Sequence, residues 1–125
     1  MIGQIVKFVR MGLWAPMMTP TASTGLTAAG STQATALALT AEFNQFSTVA
    51  ASTGATLPAG SEPGDEILVI NNGANALAVY PTGTGTINTG SASAALSVAA
   101  GKAARFTCIG GGTGLTRTWV GMISA

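Results

Sequence analysis

Residues 66–99 read EILVINNGANALAVYPTGTGTINTGSASAALSVA, and the fold turns on how this stretch is taken. Ile67, Val69 and Ile70 form a short apolar run that breaks at Asn71, Asn72 and Gly73 and resumes at Leu77, Val79 and Tyr80. Apolar, β-branched runs on either side of Asn-Gly predict two strands around a tight connection. After Pro81 a Thr- and Gly-rich run carries one large apolar residue, Ile87, and then Leu96 with Val98 opens another strand. The stretch predicts a meander of short strands with no catalytic group in it.

The downstream sequence continues the β pattern. Residues 99–102 (AAGK) read as a turn, and residues 103–109 as a strand with Phe106 and Cys108 on one face and Arg105, Thr107 and Ile109 on the other. Gly110, Gly111, Gly112 and Gly114 make a loop before a last strand over 116–123, where Thr118, Val120 and Met122 alternate with Trp119 and Ile123. Upstream, residues 51–65 hold two Pro/Gly turn signals, LPAG at 57–60 and EPGD at 62–65. Residues 33–50 read QATALALTAEFNQFSTVA. A helix over 34–46 is compatible with its Ala, its Leu and the i, i+3 pair Phe43 and Phe46. Two strands, 34–40 and 43–49, are preferred because Thr and alternation are frequent and the following sequence is β.

The first 32 residues differ in character. Ile2, Ile5, Val6, Val9 and Leu13 recur at helical spacing, while Val6, Phe8 and Arg10 equally suit one side of a strand, so the period leaves both open. Trp14, Met17 and Met18 make the end of this segment apolar and adaptable. An exposed arm of this kind is sticky, and it is expected to lie either on a neighbouring surface or back on its own core. Its two charges, Lys7 and Arg10, follow apolar residues instead of preceding an uninterrupted apolar run, which argues against a secretory signal. Residues 19–32 (TPTASTGLTAAGST) read as a linker or an extended, docked segment. The expected organisation is an arm and linker over 1–32 and a β domain over 33–125.

Five basic and four acidic residues make up 7% of the 125-residue chain, against about 25% charged in ordinary soluble domains. With 47% apolar residues, a free monomer has little charge to oppose association, so much of its surface is expected to be covered by partners. The apolar runs break well before the roughly 18 residues of a membrane span. Five scattered cations form no nucleic-acid patch. Neither membrane nor nucleic acid is therefore expected as a partner.

With no histidine in the chain, Ser-His-Asp, Cys-His and Cys/His zinc chemistry are excluded in their usual forms. Glu62, Asp65 and Glu66 concentrate carboxylates in one loop, but their spacing departs from the EF-hand pattern, and a solvated turn is preferred to a calcium site. The glycine loop IGGGTG at 109–114 lacks the phosphate-cradling spacing. Cys108 has no second cysteine to bond and reads as a small buried apolar group. No enzymatic activity, metal or cofactor is expected.

Four features carry a resemblance: the entry loop from Leu57-Pro58 to Asp65-Glu66, VINNGAN at 69–75, VYPTGTGTIN at 79–88, and AGKAARF at 100–106. Over roughly residues 55–123 the chain resembles small bacteriophage virion proteins of the head decoration (cement) and head-fibre type. Similar β modules occur in tail-associated phage proteins. The expected fold is all-β, a compact antiparallel β-sandwich or barrel of short strands over the resembling region, to which the residues of the first segment add an extended N-terminal arm. The resemblance implies a non-enzymatic protein made in the host bacterial cytoplasm and mounted on the capsid surface, with the major capsid protein and copies of itself, as a homotrimer, for partners. On that reading Ile2, Ile5, Val6, Phe8, Val9, Leu13, Trp14, Met17 and Met18 make the capsid and subunit contacts. A receptor- or carbohydrate-binding module on a tail or fibre is the alternative. Trp14, Tyr80 and Trp119 are the rings available to stack on sugars, although Tyr80 and Trp119 are better read as core or interface.

Overall fold

The computed structural model describes residues 21–113 and 115–125. Among them the chain is mostly β and contains no helix. The strands are β1 Ala22–Thr27, β2 Leu37–Ala38, β3 Phe43–Thr48, β4 Gly54–Thr56, β5 Glu66–Asn71, β6 Leu77–Tyr80, β7 Thr86–Ile87, β8 Leu96–Val98, β9 Ala103–Gly110 and β10 Thr118–Ile123. They form two sheets, one of six strands in the order β1-β3-β5-β9-β10-β7 and one of four in the order β2-β4-β6-β8.

Chain order alternates between the sheets from β1 to β8, and this corrects the expected antiparallel meander. β1, β3 and β5 pair in parallel in the larger sheet, and β2, β4 and β6 pair in parallel in the smaller one. Parallel neighbours need a crossover long enough to bring the chain back to its starting end, commonly a helix. Here the crossover is a strand of the opposite sheet, so the first six strands wind as a flat coil. The chain then reverses: β8 lies antiparallel to β6, β9 to β5 and β10 to β9, while β7 joins β10 in parallel.

The connection at Asn71–Gly73 is accordingly a corner between sheets and not a hairpin turn, because β5 belongs to the larger sheet and β6 to the smaller. Residues 22–27, read from sequence as part of a linker or docked segment, are the edge strand β1 of the larger sheet. Gly25 there takes φ +67 at a break in register, and its N–H donates to Gln45 Oε1 at 2.9 Å. The preference for two strands over a helix between 34 and 49 is met by β2 and β3.

One hydrophobic cluster draws on both sheets. Phe46, Ile67, Val69, Phe106 and Trp119 enter it from the larger sheet, and Ala55, Leu77, Val79 and Val98 from the smaller. Alternation explains the selection: in β9, Ala104, Phe106 and Cys108 are buried while Arg105 and Ile109 are exposed. Full burial of each large apolar side chain contributes about 1.5–3 kcal/mol. Trp119, Phe46 and Phe106 are the largest of those buried completely.

Candidate interaction surface

The polar residues that sequence reading singles out are used inside the fold. Asn71 is wholly buried, and its Nδ2 donates to Asn75 O at 2.8 Å and Val98 O at 2.9 Å while its Oδ1 accepts from Gly73 N at 2.9 Å. Asn75 Nδ2 donates to Val49 O at 2.9 Å, so VINNGAN ties three loops and strands together. Asn88 acts similarly at the end of β7: its Oδ1 accepts from Gly121 N at 2.9 Å, and its backbone N–H donates to Trp119 O at 2.8 Å. In AGKAARF, Gly101 adopts φ +79 and donates to Asn71 O at 2.8 Å.

In the entry loop, the buried Asp65 accepts Glu62 N through Oδ2 at 2.9 Å, closing the turn. Glu66 is exposed on β5, and Thr107 Oγ1 donates to its Oε2 at 3.4 Å. Among the described residues, no group of three or more His, Cys, Asp or Glu side chains is arranged to hold a metal ion. Cys108 is buried, and that burial pushes its thiol above the ordinary value of 9.0, opposed in part by the Gly110 backbone and by Arg117. Arg117 clamps loops: Nε donates to Ser61 O at 3.1 Å, and Nη1 to Gly111 O and Gly112 O, both at 2.8 Å. Lys102 Nζ donates to Ala125 O.

A cavity of about 190 Å³ lies beside β1 and β2, lined by Ser23, Leu26, Leu37, Ala38, Leu39, Thr40 and Asn44. Asn44 is 1% exposed, and its Nδ2 donates to Ala41 O at 2.9 Å and Leu68 O at 3.3 Å. Its Oδ1 has no hydrogen-bond partner among the described residues.

The outward face of the larger sheet carries the most coherent exposed feature. Strand register places Phe43 beside Leu68, Leu68 beside Arg105, and Arg105 beside Met122. Cross-strand neighbours of this kind sit about 4.5–5.5 Å apart, so the four form one row across β3, β5, β9 and β10. Phe43 is 43% exposed and Met122 70%. Glu66, Thr107 and Val120 make the next row on the same face. Glu66 and Arg105 are thus diagonal neighbours, both exposed.

The nine arm residues from Ile2 to Met18 lie outside the described residues. Trp119 is in the core, as the preferred reading has it, and Tyr80 is half-buried. The Phe43–Met122 row escapes sequence reading. Alternation puts Arg105 and Met122 on the opposite side from Phe106 and Trp119, but only register shows that they are neighbours. Comparison with protein-family models, with curated proteins and with solved structures finds no match.

No described helix is long and apolar enough to cross a membrane.

Proposed function

We propose that this chain is a non-enzymatic structural protein of a phage virion, a capsid decoration (cement) protein. It binds the outside of the head and stabilises it through contacts between copies and through its N-terminal arm. The two sheets around one core form a compact sandwich that acts as the rigid body, and the arm attaches it to the shell. The partners are the major capsid protein and further copies of the chain, arranged as a homotrimer, and no cofactor takes part.

The observation that carries this reading is the use made of the four motifs behind the resemblance. Their Asn, Gly and Asp residues are engaged in corners and turns of the fold. The exposed surface keeps large apolar side chains, Phe43, Ile109, Leu115, Met122 and Ile123, on a chain with few charges. Surfaces of that character suit permanent contacts between proteins. Backbone pairing and apolar burial, without chemistry, are what resisting internal DNA pressure requires. The carbohydrate-binding alternative is weakened because Trp119 is 0% exposed and presents no ring to a sugar.

The test is to add purified chain to heads that lack it and to count copies on the shell by cryo-electron microscopy. Full-length chain is expected to occupy symmetric positions on the head, whereas a variant lacking residues 1–18 keeps its far-ultraviolet circular dichroism but leaves the shell bare. Full occupancy by the truncated chain would eliminate the arm mechanism, and density confined to a tail or fibre tip would eliminate decoration.

A further inference from the structure

We infer that the outward face of the six-stranded sheet, centred on Phe43, Leu68, Arg105 and Met122, is the surface through which one copy of this chain docks on another. The inference rests on the self-association in the proposed function, but a reciprocal face-to-face contact closes a two-fold pair and is distinct from the three-fold contact of the homotrimer; it is independent of any role in a virion. A free protein gains nothing by aligning a 43% exposed Phe with a 70% exposed Met across four strands, because each leaves apolar area in water. Leu68 fills the space between them in the same row, and Ile70 and Val120 extend the patch on either side, half-buried.

The charges on the face identify the occupant. Arg105 stands in the middle of the apolar row, and no hydrogen bond or ion pair joins its guanidinium to another described residue. A guanidinium covered by an apolar partner without an acceptor is costly, so whatever covers this face must bring an anion to it. The same face supplies one in Glu66, diagonal to Arg105 on the adjacent strand and, among the described residues, held only by a 3.4 Å contact from Thr107. A second copy packed face to face sets its Glu66 against the first copy's Arg105 and receives the reciprocal pair. The patch is therefore self-complementary in both apolar surface and charge, as contacts between identical subunits require.

The test measures mass against concentration for the full chain by sedimentation equilibrium, with circular dichroism melts to verify folding. Wild type is expected to self-associate. Met122→Glu is expected to raise the dissociation constant by about 30-fold, as loss of a central apolar anchor does. Arg105→Glu and Glu66→Arg should each weaken association by about tenfold, and the double exchange should restore it to within about threefold of wild type. A Thr107→Cys chain, whose new thiol lies beside the axis that exchanges Glu66 and Arg105, oxidised at low concentration, should give a disulfide-linked dimer, which reads the contact even if a charged variant unfolds. The inference is overturned by a wild type that stays monomeric, by variants that associate like wild type, or by a double exchange no better than the singles. A monomer in which a Met122→Cys thiol is nonetheless shielded from reagent would assign the face to the chain's own first 20 residues and likewise overturn it.

Discussion

Asn71 Nδ2 lies 2.9 Å from Val98 O, a buried hydrogen bond that joins the end of β5 in the larger sheet to β8 in the smaller. The same amide reaches Asn75 O and receives Gly73 N, while the Asn71 backbone accepts from Gly101 N and donates to Lys102 O. One residue thus closes the corner between sheets with its side chain and anchors the turn that starts β9 with its backbone.

Replacing Asn71 by Leu, of similar volume, is predicted to destabilise the fold on the order of 3 kcal/mol. The change leaves Val98 O buried without its donor and strips Gly73 N of its acceptor, and each such loss costs about 1–3 kcal/mol. Asn71→Asp should be at least as damaging, since it turns a carboxylate oxygen toward two carbonyls. Urea denaturation followed by circular dichroism checks both. A loss under 1 kcal/mol for Asn71→Leu would mean that the corner is held by backbone contacts alone.

Gly73 is required by proximity. A Cβ built on it would lie 2.6 Å from Val49 Cβ and 2.7 Å from Val49 N. Gly73→Ala is predicted to cost about 1–3 kcal/mol, the range for forcing an atom into packed structure. Adding Val49→Ala should not rescue it, because the Val49 Cβ and N remain. Gly25→Ala is the contrasting variant: nothing lies within 4 Å, and only the strain of φ +67 opposes it, about 1 kcal/mol. Thermal melts of the three variants should rank them in this way.

These residues also show how far the sequence could be read. The faces of β5 and β9 follow from alternation, because Ile67, Val69, Phe106 and Cys108 must leave water together. Burial of Trp119 follows in the same way. The partners of those strands are not legible, since period-2 alternation reports which side a residue faces and says nothing of which strand lies beside it. Asn-Gly after an apolar run marks a tight change of direction in a hairpin and in a corner alike, so the hairpin reading missed the change of sheet. β1 was hidden because ASTGLT lacks an alternating row of large apolar residues and holds its place through Gly25 and Gln45 instead. The Phe43–Met122 row needed four strands in register before it existed as a surface.

Arg117 makes a separate prediction about the loop before β10. Its guanidinium holds Gly111 O and Gly112 O and reaches Ser61 O in the entry loop. Arg117→Lys replaces a planar fork by a point donor that cannot reach all three carbonyls. The expected result is a stability loss of about 1–2 kcal/mol together with faster proteolytic nicking between residues 110 and 117. Unchanged protection of that loop would show that Arg117 is dispensable to it.

Cys108 gives the fold a dependence on alkaline pH. Its thiol is raised above the ordinary value of 9.0, chiefly because burial disfavours the thiolate. Well below pH 9.0 both folded and unfolded chains keep the proton, and Cys108 adds no slope. Above it the unfolded chain releases a proton that the folded chain retains, so stability falls with rising pH by up to about 1.4 kcal/mol per unit until the folded thiol also titrates. Cys108→Ala should remove this component, and the difference between wild type and variant in urea midpoints from pH 7 to 10.5 isolates it. The same burial predicts that a thiol-reactive disulfide reagent modifies the native chain far more slowly than the urea-unfolded chain. Equal rates in the two states, or identical pH profiles for wild type and variant, would show that Cys108 is open to solvent in the working fold.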